Sequence, residues 1–235
     1  MALYAIGDLH LSHNTNKPMD VFGGNWIDYM DKLTQGLKVL SDDDVCVLCG
    51  DTSWAMSLEE GLEDFRYIDN LPGRKIIVKG NHDYWWSTLT KINAFFEAND
   101  IKTIDILFNN AYYYEGVAIC GTRSWLSDDK LTPEQNAKII AREVTRLRTS
   151  LEAATDTPAR LCFFHYPPRF GTIVTQDIVD VMNEFAVTKC YYGHLHSEGH
   201  RIAVRGIIEG ISYDIISADY INFTPQKIQL EGMAT

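Results

Sequence analysis

The sequence predicts a layered α/β or α+β fold. Short apolar runs rich in β-branched residues alternate with longer stretches of helical period, the pattern of strands covered by helices rather than of a helix bundle. Several of the runs are apolar throughout, as strands buried on both faces require. After residue 200 the pattern changes to short strand-like pieces separated by Gly, Ser or Pro.

Taken in order, LYAI (3–6), VCVLC (45–49), KIIVK (75–79), VAIC (117–120), RLCFF (160–164) and KCYY (189–192) read as strands. Helical period covers 26–40, 58–68, 87–98, 133–154 and 176–185. Ser57 followed by Glu60 has the form of a capping box for the second of these. The longest starts with Thr132 as its N-cap, Pro133 in the first position and Glu134 in the first turn. In the tail, IAV, GIIEG, SYDIIS, YINF and KIQL suggest antiparallel strands. No linker, low-complexity stretch or internal repeat divides the chain, so one domain is expected over 1–235.

Hydrophobic residues make up 46% of the 235 positions, charged residues 23% and aromatics 11%, which excludes disorder, collagen and coiled coil. There is no run of 18 apolar residues, and MALYAIGDLH has neither a basic region nor a long apolar stretch. A cytoplasmic protein without membrane contact is therefore expected. Against 32 Asp and Glu stand 21 Lys and Arg, a formal charge of −11, so duplex nucleic acid is not an expected partner. Bound metal would neutralise some of those carboxylates. Five cysteines without a secretory signal read as reduced thiols. Cys46 and Cys49 form a C-x-x-C, but inside an apolar strand rather than in a redox setting. The Asp42-Asp43-Asp44 run reads as a solvated turn.

Five of the strands end in polar clusters. They run into Gly7-Asp8-Leu9-His10, Gly50-Asp51, Gly80-Asn81-His82-Asp83, His165 and Gly193-His194-Leu195-His196. These clusters hold five of the seven histidines. In an open α/β sheet the carboxyl ends of the strands are where ligands bind, so distant residues would converge on one crevice. Asp-x-His and His-x-His place residues i and i+2 on one side of an extended chain, where both can grip one ion. Carboxylate, imidazole and amide donors without thiolate favour Mn²⁺, Fe or Zn²⁺ over Mg²⁺ and Ca²⁺.

In these five elements and their order, the chain resembles the calcineurin-like metallophosphoesterases, over roughly residues 3 to 200. The resemblance implies a four-layer sandwich of two mixed β-sheets flanked by α-helices, with the strand-rich tail in the second sheet. It implies two divalent cations, manganese ahead of iron or zinc: one held by Asp8, His10, Asp51 and His196, the other by Asp51, Asn81, His165 and His194. Asp51 would bridge, since a carboxylate has lone pairs for two cations. The implied chemistry is hydrolysis of a small phosphoester, monoester or diester, by water activated between the two ions. His82 would stabilise the charge on phosphorus or protonate the leaving alkoxide.

The protein serine/threonine phosphatase branch of that family reads G-D-x-V-D-R-G and then G-N-H-E followed by arginine. Here Gly50-Asp51-Thr52-Ser53-Trp54 and Gly80-Asn81-His82-Asp83-Tyr84 lack both the Asp that pairs with the histidine and the clamping Arg. A phosphoprotein substrate is not expected. Asp83 or a backbone carbonyl would orient His82, and Arg123 is the candidate phosphate clamp because its fork matches phosphate geometry. Tyr84, Trp85, Trp86, Trp54 and Trp125 stand beside the motif loops and read first as core, second as stacking surfaces. Pro167 and Pro168 stiffen the turn after His165. His13 and His200 read as exposed bystanders. The alternatives to a phosphohydrolase are a non-catalytic interaction module of the same fold, disfavoured by the complete set of motif residues, and a nuclease, disfavoured by the acidic balance.

Overall fold

The two-residue period of the strands decides the layering. In β1 (Leu3–Ile6), β2 (Val45–Cys49) and β3 (Arg74–Val78), Leu3, Ala5, Val47, Cys49, Ile76 and Val78 point to one face and Ile6, Cys46, Leu48 and Ile77 to the other. The first set meets Ile119, Leu161, Phe163 and Tyr191 of a second sheet, so the two sheets pack face to face around an inner core. The second set is covered by α1 (Tyr29–Gly36), α2 (Leu62–Asp69) and α3 (Leu89–Ala98) through Leu33, Phe65, Ile68, Ile92 and Phe96. On the far side, α4 (Pro133–Glu152) and α5 (Gln176–Glu184) cover the outer face of the second sheet through Leu147, Leu151, Ile178 and Met182. The result is a four-layer sandwich with mixed sheets. The computed structural model describes residues 1–230; the last five positions of the expected domain lie outside the described residues.

The first sheet has the order β13-β1-β2-β3-β4, with β4 at Ile104–Ile106 and β13 at Gln226–Lys227; it is parallel except for β13. The second has the order β11-β12-β10-β7-β6-β5. Its strands are β5 (Tyr112–Tyr114), β6 (Val117–Thr122), β7 (Arg160–Phe164), β10 (Lys189–Tyr192), β11 (Gly206–Ile208) and β12 (Ile211–Ile215). Its four central strands are parallel and both edges antiparallel. A small hairpin, β8 (Arg169–Phe170) with β9 (Ile173–Val174), follows β7.

Local chemistry shifts some expected boundaries. The helix expected over 26–40 is shortened to α1, flanked by 3₁₀ turns, because Asp28 takes a left-handed φ of 55°. The helix expected from 58 begins at Leu62. Ser57 does accept a hydrogen bond from the Glu60 N–H at 3.2 Å, but the Glu60 carboxylate turns to the Met56 N–H at 2.6 Å and closes a local turn. Thr132 caps α4 with a reciprocal box to Gln135, a partner not anticipated.

The tail is not a set of antiparallel strands confined to the second sheet. Only β11 pairs antiparallel there; β12 lies parallel to β10, residues 220–223 form a turn, and β13 crosses to the first sheet. Asp44 is also no solvated turn residue: it is buried and accepts hydrogen bonds from Ala2 and Ser41 N–H groups. All five cysteines are buried and unbridged.

Candidate metal centre

The parallel strands of both sheets deliver their carboxyl ends to one edge of the sandwich. The sheets are joined there by a parallel bridge between Gly7 and Ser217, with Gly7 N–H donating to Ile216 O at 2.8 Å. Beyond the strands the chains stay paired: Asp8 N–H donates to Gly50 O and His10 N–H to Asp51 O, each at 2.9 Å. Asp8, His10, Asp51 and His194 all take left-handed φ values of 62°, 48°, 49° and 71°. Non-glycine residues visit this region sparingly, and such conformations cluster where a site over-determines the backbone. Gly193 has a separate reason, since a Cβ there would lie 2.5 Å from Asp8 Oδ2.

All seven residues read as ligands from the strand ends converge. His196 Nε2 lies 3.7 Å from Asp8 Oδ1, His10 Nε2 3.8 Å from Asp51 Oδ2, and His165 Nε2 3.5 Å from Asp51 Oδ2. His165 Nε2 is also 2.6 Å from Asn81 Oδ1 and 3.2 Å from His194 Nδ1. The His194 N–H donates to Asp8 Oδ2 at 2.9 Å, and the His82 N–H to Asp51 Oδ1 at 2.7 Å, so each carboxylate is aimed by backbone.

Burial dominates the electrostatics. It pushes Asp8 up to about 8, with His196 opposing and Asp51 adding to the rise; it raises Asp51 as well. It draws His165 down to about 3, His194 down to about 2 and His10 well below the usual imidazole range, so all three are neutral at neutral pH. Burial also opposes charge on His196, but Asp8, the Asp219 hydrogen bond and Asp51 outweigh it and raise that imidazole to about 9.

These atoms fit divalent cations. His165 Nδ1 donates to Cys49 O at 3.1 Å, which leaves a lone pair on Nε2 facing the oxygens of Asn81 and Asp51. Acceptors turned on one another in a buried place need a positive charge between them. The neutral His10 ring turns its Nε2 toward Asp51 Oδ2 at 3.8 Å in the same way. Asp8 with His10 and His196, and Asp8 with Asp51 and His165, form two groups whose ligand atoms lie within 4.8 Å of one another.

The other candidates fall differently. The half-buried His82 ring lies beside Trp54 with centroids 4.4 Å apart, and its Nδ1 is 3.3 Å from the Tyr84 hydroxyl. Asp83 does not orient it. The buried Asp83 carboxylate accepts N–H bonds from Gly80 (2.7 Å), Thr52 (2.8 Å), Ser53 (3.3 Å) and the Trp85 indole (3.0 Å), tying two loops together. Burial and Asp51 push its carboxyl up to about 7 against the pull of those donors.

Arg123 is not placed as a clamp either. Its guanidinium stacks over Trp125 and lies 3.7 Å from the buried Glu143, beside Lys79 and Arg146, and does not line the cleft that His82 faces. Trp85 is core, packed edge-on to Phe65, whereas Trp54 lines the cleft and stacks on His10 at 4.9 Å. His13 is no bystander: its Nδ1 bonds at 2.7 Å to the buried Asp64, which also accepts from the Ser53 hydroxyl and so links two motif loops. His200 sits 3.4 Å from Asp219.

Asp219 itself was missed. It is buried, accepts a 2.8 Å bond from His196 Nδ1, and is held well below the usual carboxylate range: burial opposes its charge, but His196 and His200 outweigh burial. The signal was its position just beyond SYDIIS, a sixth strand ending at the same edge, hidden because that run reads as antiparallel.

Residues 1–198 match the family model for calcineurin-like phosphoesterases, and the chain belongs to that family. The family hydrolyses phosphoesters. Among solved structures, the phosphopantetheinyl hydrolase of Mycobacterium tuberculosis superposes with a TM-score of 0.57 at 15% identity, covering 100% of this chain and 98% of its own. A Thermus thermophilus protein gives 0.53 at 9% identity (97% and 98% covered), and an Aquifex aeolicus protein of unknown function 0.50 at 18% (96% and 95%). At such identities the likeness is one of fold. No curated protein matches the sequence. Among the described residues no helix is long and apolar enough to cross a membrane.

Proposed function

We propose that this protein hydrolyses a small phosphoester with two divalent cations, one held by Asp8, His10, Asp51 and His196 and the other by Asp51, Asn81, His165 and His194. The observation that carries this reading is the set of mutually facing acceptors formed by the buried His165 Nε2 and Asp51 Oδ2 and the half-buried Asn81 Oδ1. When bound, such a pair supplies charge neutralisation and an acidified water for in-line displacement at phosphorus. Manganese suits the oxygen- and imidazole-rich donor set, with iron or zinc as alternatives.

The chain's own residues do the rest. Backbone N–H groups of His194 and His82 fix the Asp8 and Asp51 carboxylates, and Cys49 O fixes the His165 tautomer. The Tyr84 hydroxyl lies 3.3 Å from His82 Nδ1 and steers the ring toward the cleft, which leaves Nε2 as the atom that would meet the phosphoryl group or the leaving oxygen. The family supports phosphoester hydrolysis in general. A phosphopantetheinyl hydrolase among the structural neighbours is in keeping with that general activity.

The test is hydrolysis of bis(p-nitrophenyl) phosphate against p-nitrophenyl phosphate by chelator-stripped protein titrated with Mn²⁺. Turnover restored by metal supports the reading, and the preferred ester separates diesterase from monoesterase. No turnover of either ester with both sites filled would refute it.

A further inference from the structure

The cleft over the metal centre has a volume of about 220 Å³. His10, Asp51, His82, His194 and His196 form its polar side. The remaining lining is Met19, Phe22 and Trp26 from the segment after β1, Trp54 from the loop after β2, and Ser197. Among the described residues no Lys or Arg lines it, so beyond the phosphoryl group the cleft offers a ligand apolar surface. Its size is below the roughly 300–1,000 Å³ of pockets for drug-sized ligands, enough for a phosphoryl group and one ring. A nucleic-acid strand would need a basic track, which this lining does not supply.

Phe22 is the telling residue. It is 69% exposed at the end of the 3₁₀ turn Met19–Phe22, and its neighbour Val21 is 75% exposed. That turn is anchored: Met19 is buried, Gly23 N–H donates to Asp20 O at 2.9 Å, and Asp28 N–H donates to Asp20 Oδ1 at 2.7 Å. Trp54 is held by its stack on His10 and by Lys17, whose Nζ lies 5.4 Å from the ring centroid. An anchored turn that carries Phe22 outward, beside a Trp54 ring held in place, keeps apolar surface at the cleft ready for a ligand that covers it.

Given the phosphoesterase reading, we propose that the substrate is a small phosphoester whose organic group is an apolar ring. That ring sits against Phe22, Met19 and Trp54 while the phosphoryl oxygens meet the His and Asp side of the cleft.

Calorimetric binding of phenylphosphonate and methylphosphonate to the manganese-loaded protein tests this without turnover. Phenylphosphonate is expected to bind at least about tenfold tighter, as burial of a ring-sized apolar group gives. Phe22→Ala should bring the ratio toward one, and Phe22→Leu should retain most of it. Equal affinities in the unmodified protein, a ratio untouched by Phe22→Ala, or no binding of either phosphonate at millimolar concentration would overturn the proposal. The phosphoesterase reading fails separately: absence of turnover with the tenfold ratio intact would refute hydrolysis and support the ring pocket. Turnover with equal phosphonate affinities would do the reverse.

Discussion

Asp219 accepts a 2.8 Å hydrogen bond from His196 Nδ1 across the ends of two parallel strands, β12 and β10. The bond commits the Nδ1 proton to Asp219 and leaves Nε2 to face Asp8 at 3.7 Å. Outer carboxylates of this kind set the tautomer and basicity of a ligating imidazole. Asp219→Ala is therefore expected to weaken metal binding about 10- to 100-fold, read by equilibrium dialysis with metal analysis. Unchanged affinity would show that His196 is oriented without it.

Substitution of His82 is expected to separate chemistry from metal binding. His82→Ala should keep metal content near that of the unmodified protein and lower kcat by roughly 100-fold or more. Metal analysis beside steady-state kinetics checks both halves, and full turnover would remove His82 from the mechanism.

Asp51 Oδ2 lies 3.8 Å from His10 Nε2 and 3.5 Å from His165 Nε2, one residue from each of the two proposed ligand sets. Asp51→Asn removes the charge that both cations would share, so metal occupancy should fall. Two tightly held ions and full activity in Asp51→Asn would disprove the bridge.

Asp83 is expected to act on stability rather than on the reaction itself. Asp83→Ala leaves four N–H donors of two loops without their acceptor. A loss of about 3 kcal/mol follows from a buried acceptor of this kind, lowering Tm by roughly 6–12 °C in a protein of this size. A thermal scan of the chelated variant measures it, and a Tm unchanged within error would show that the loops are held otherwise.

Metal removal should itself destabilise the fold, because Asp8 and Asp51 are buried side by side at the junction of the sheets. Mass action gives about 2.7 kcal/mol at a free metal concentration 100 times Kd. Tm should therefore rise with added Mn²⁺ and fall with chelator; a Tm indifferent to both would argue against occupancy of these residues.

The inner strands and their polar exits were legible because burial on both faces makes them uniformly apolar, and the exits break that apolarity abruptly at Asp8, Asp51, Asn81, His165 and His194. The edge strands β4 and β5 were not, since three-residue runs such as IDI carry too little pattern to stand out. Asp219 escaped for a topological reason: nothing local in SYDIISAD tells a parallel strand from an antiparallel one. The role of Asp83 escaped for a geometric one, as a carboxylate beside a candidate catalytic histidine looks the same in sequence whether it faces the imidazole or the neighbouring loop.

The chain after residue 200 first completes the second sheet with β12, then crosses at Ser217, which bridges to Gly7, and closes the first sheet with β13 against β1. A shortened protein cut where the family match stops, at residue 198, would therefore keep all seven proposed ligands and lose the clasp that holds the two halves in register. It would also lose Asp219, and with it the partner of His196. The stretch from β11 to β13 is a strap buckling the two sheets together at the rim where the proposed ligands gather, and any minimal version of this protein has to retain it.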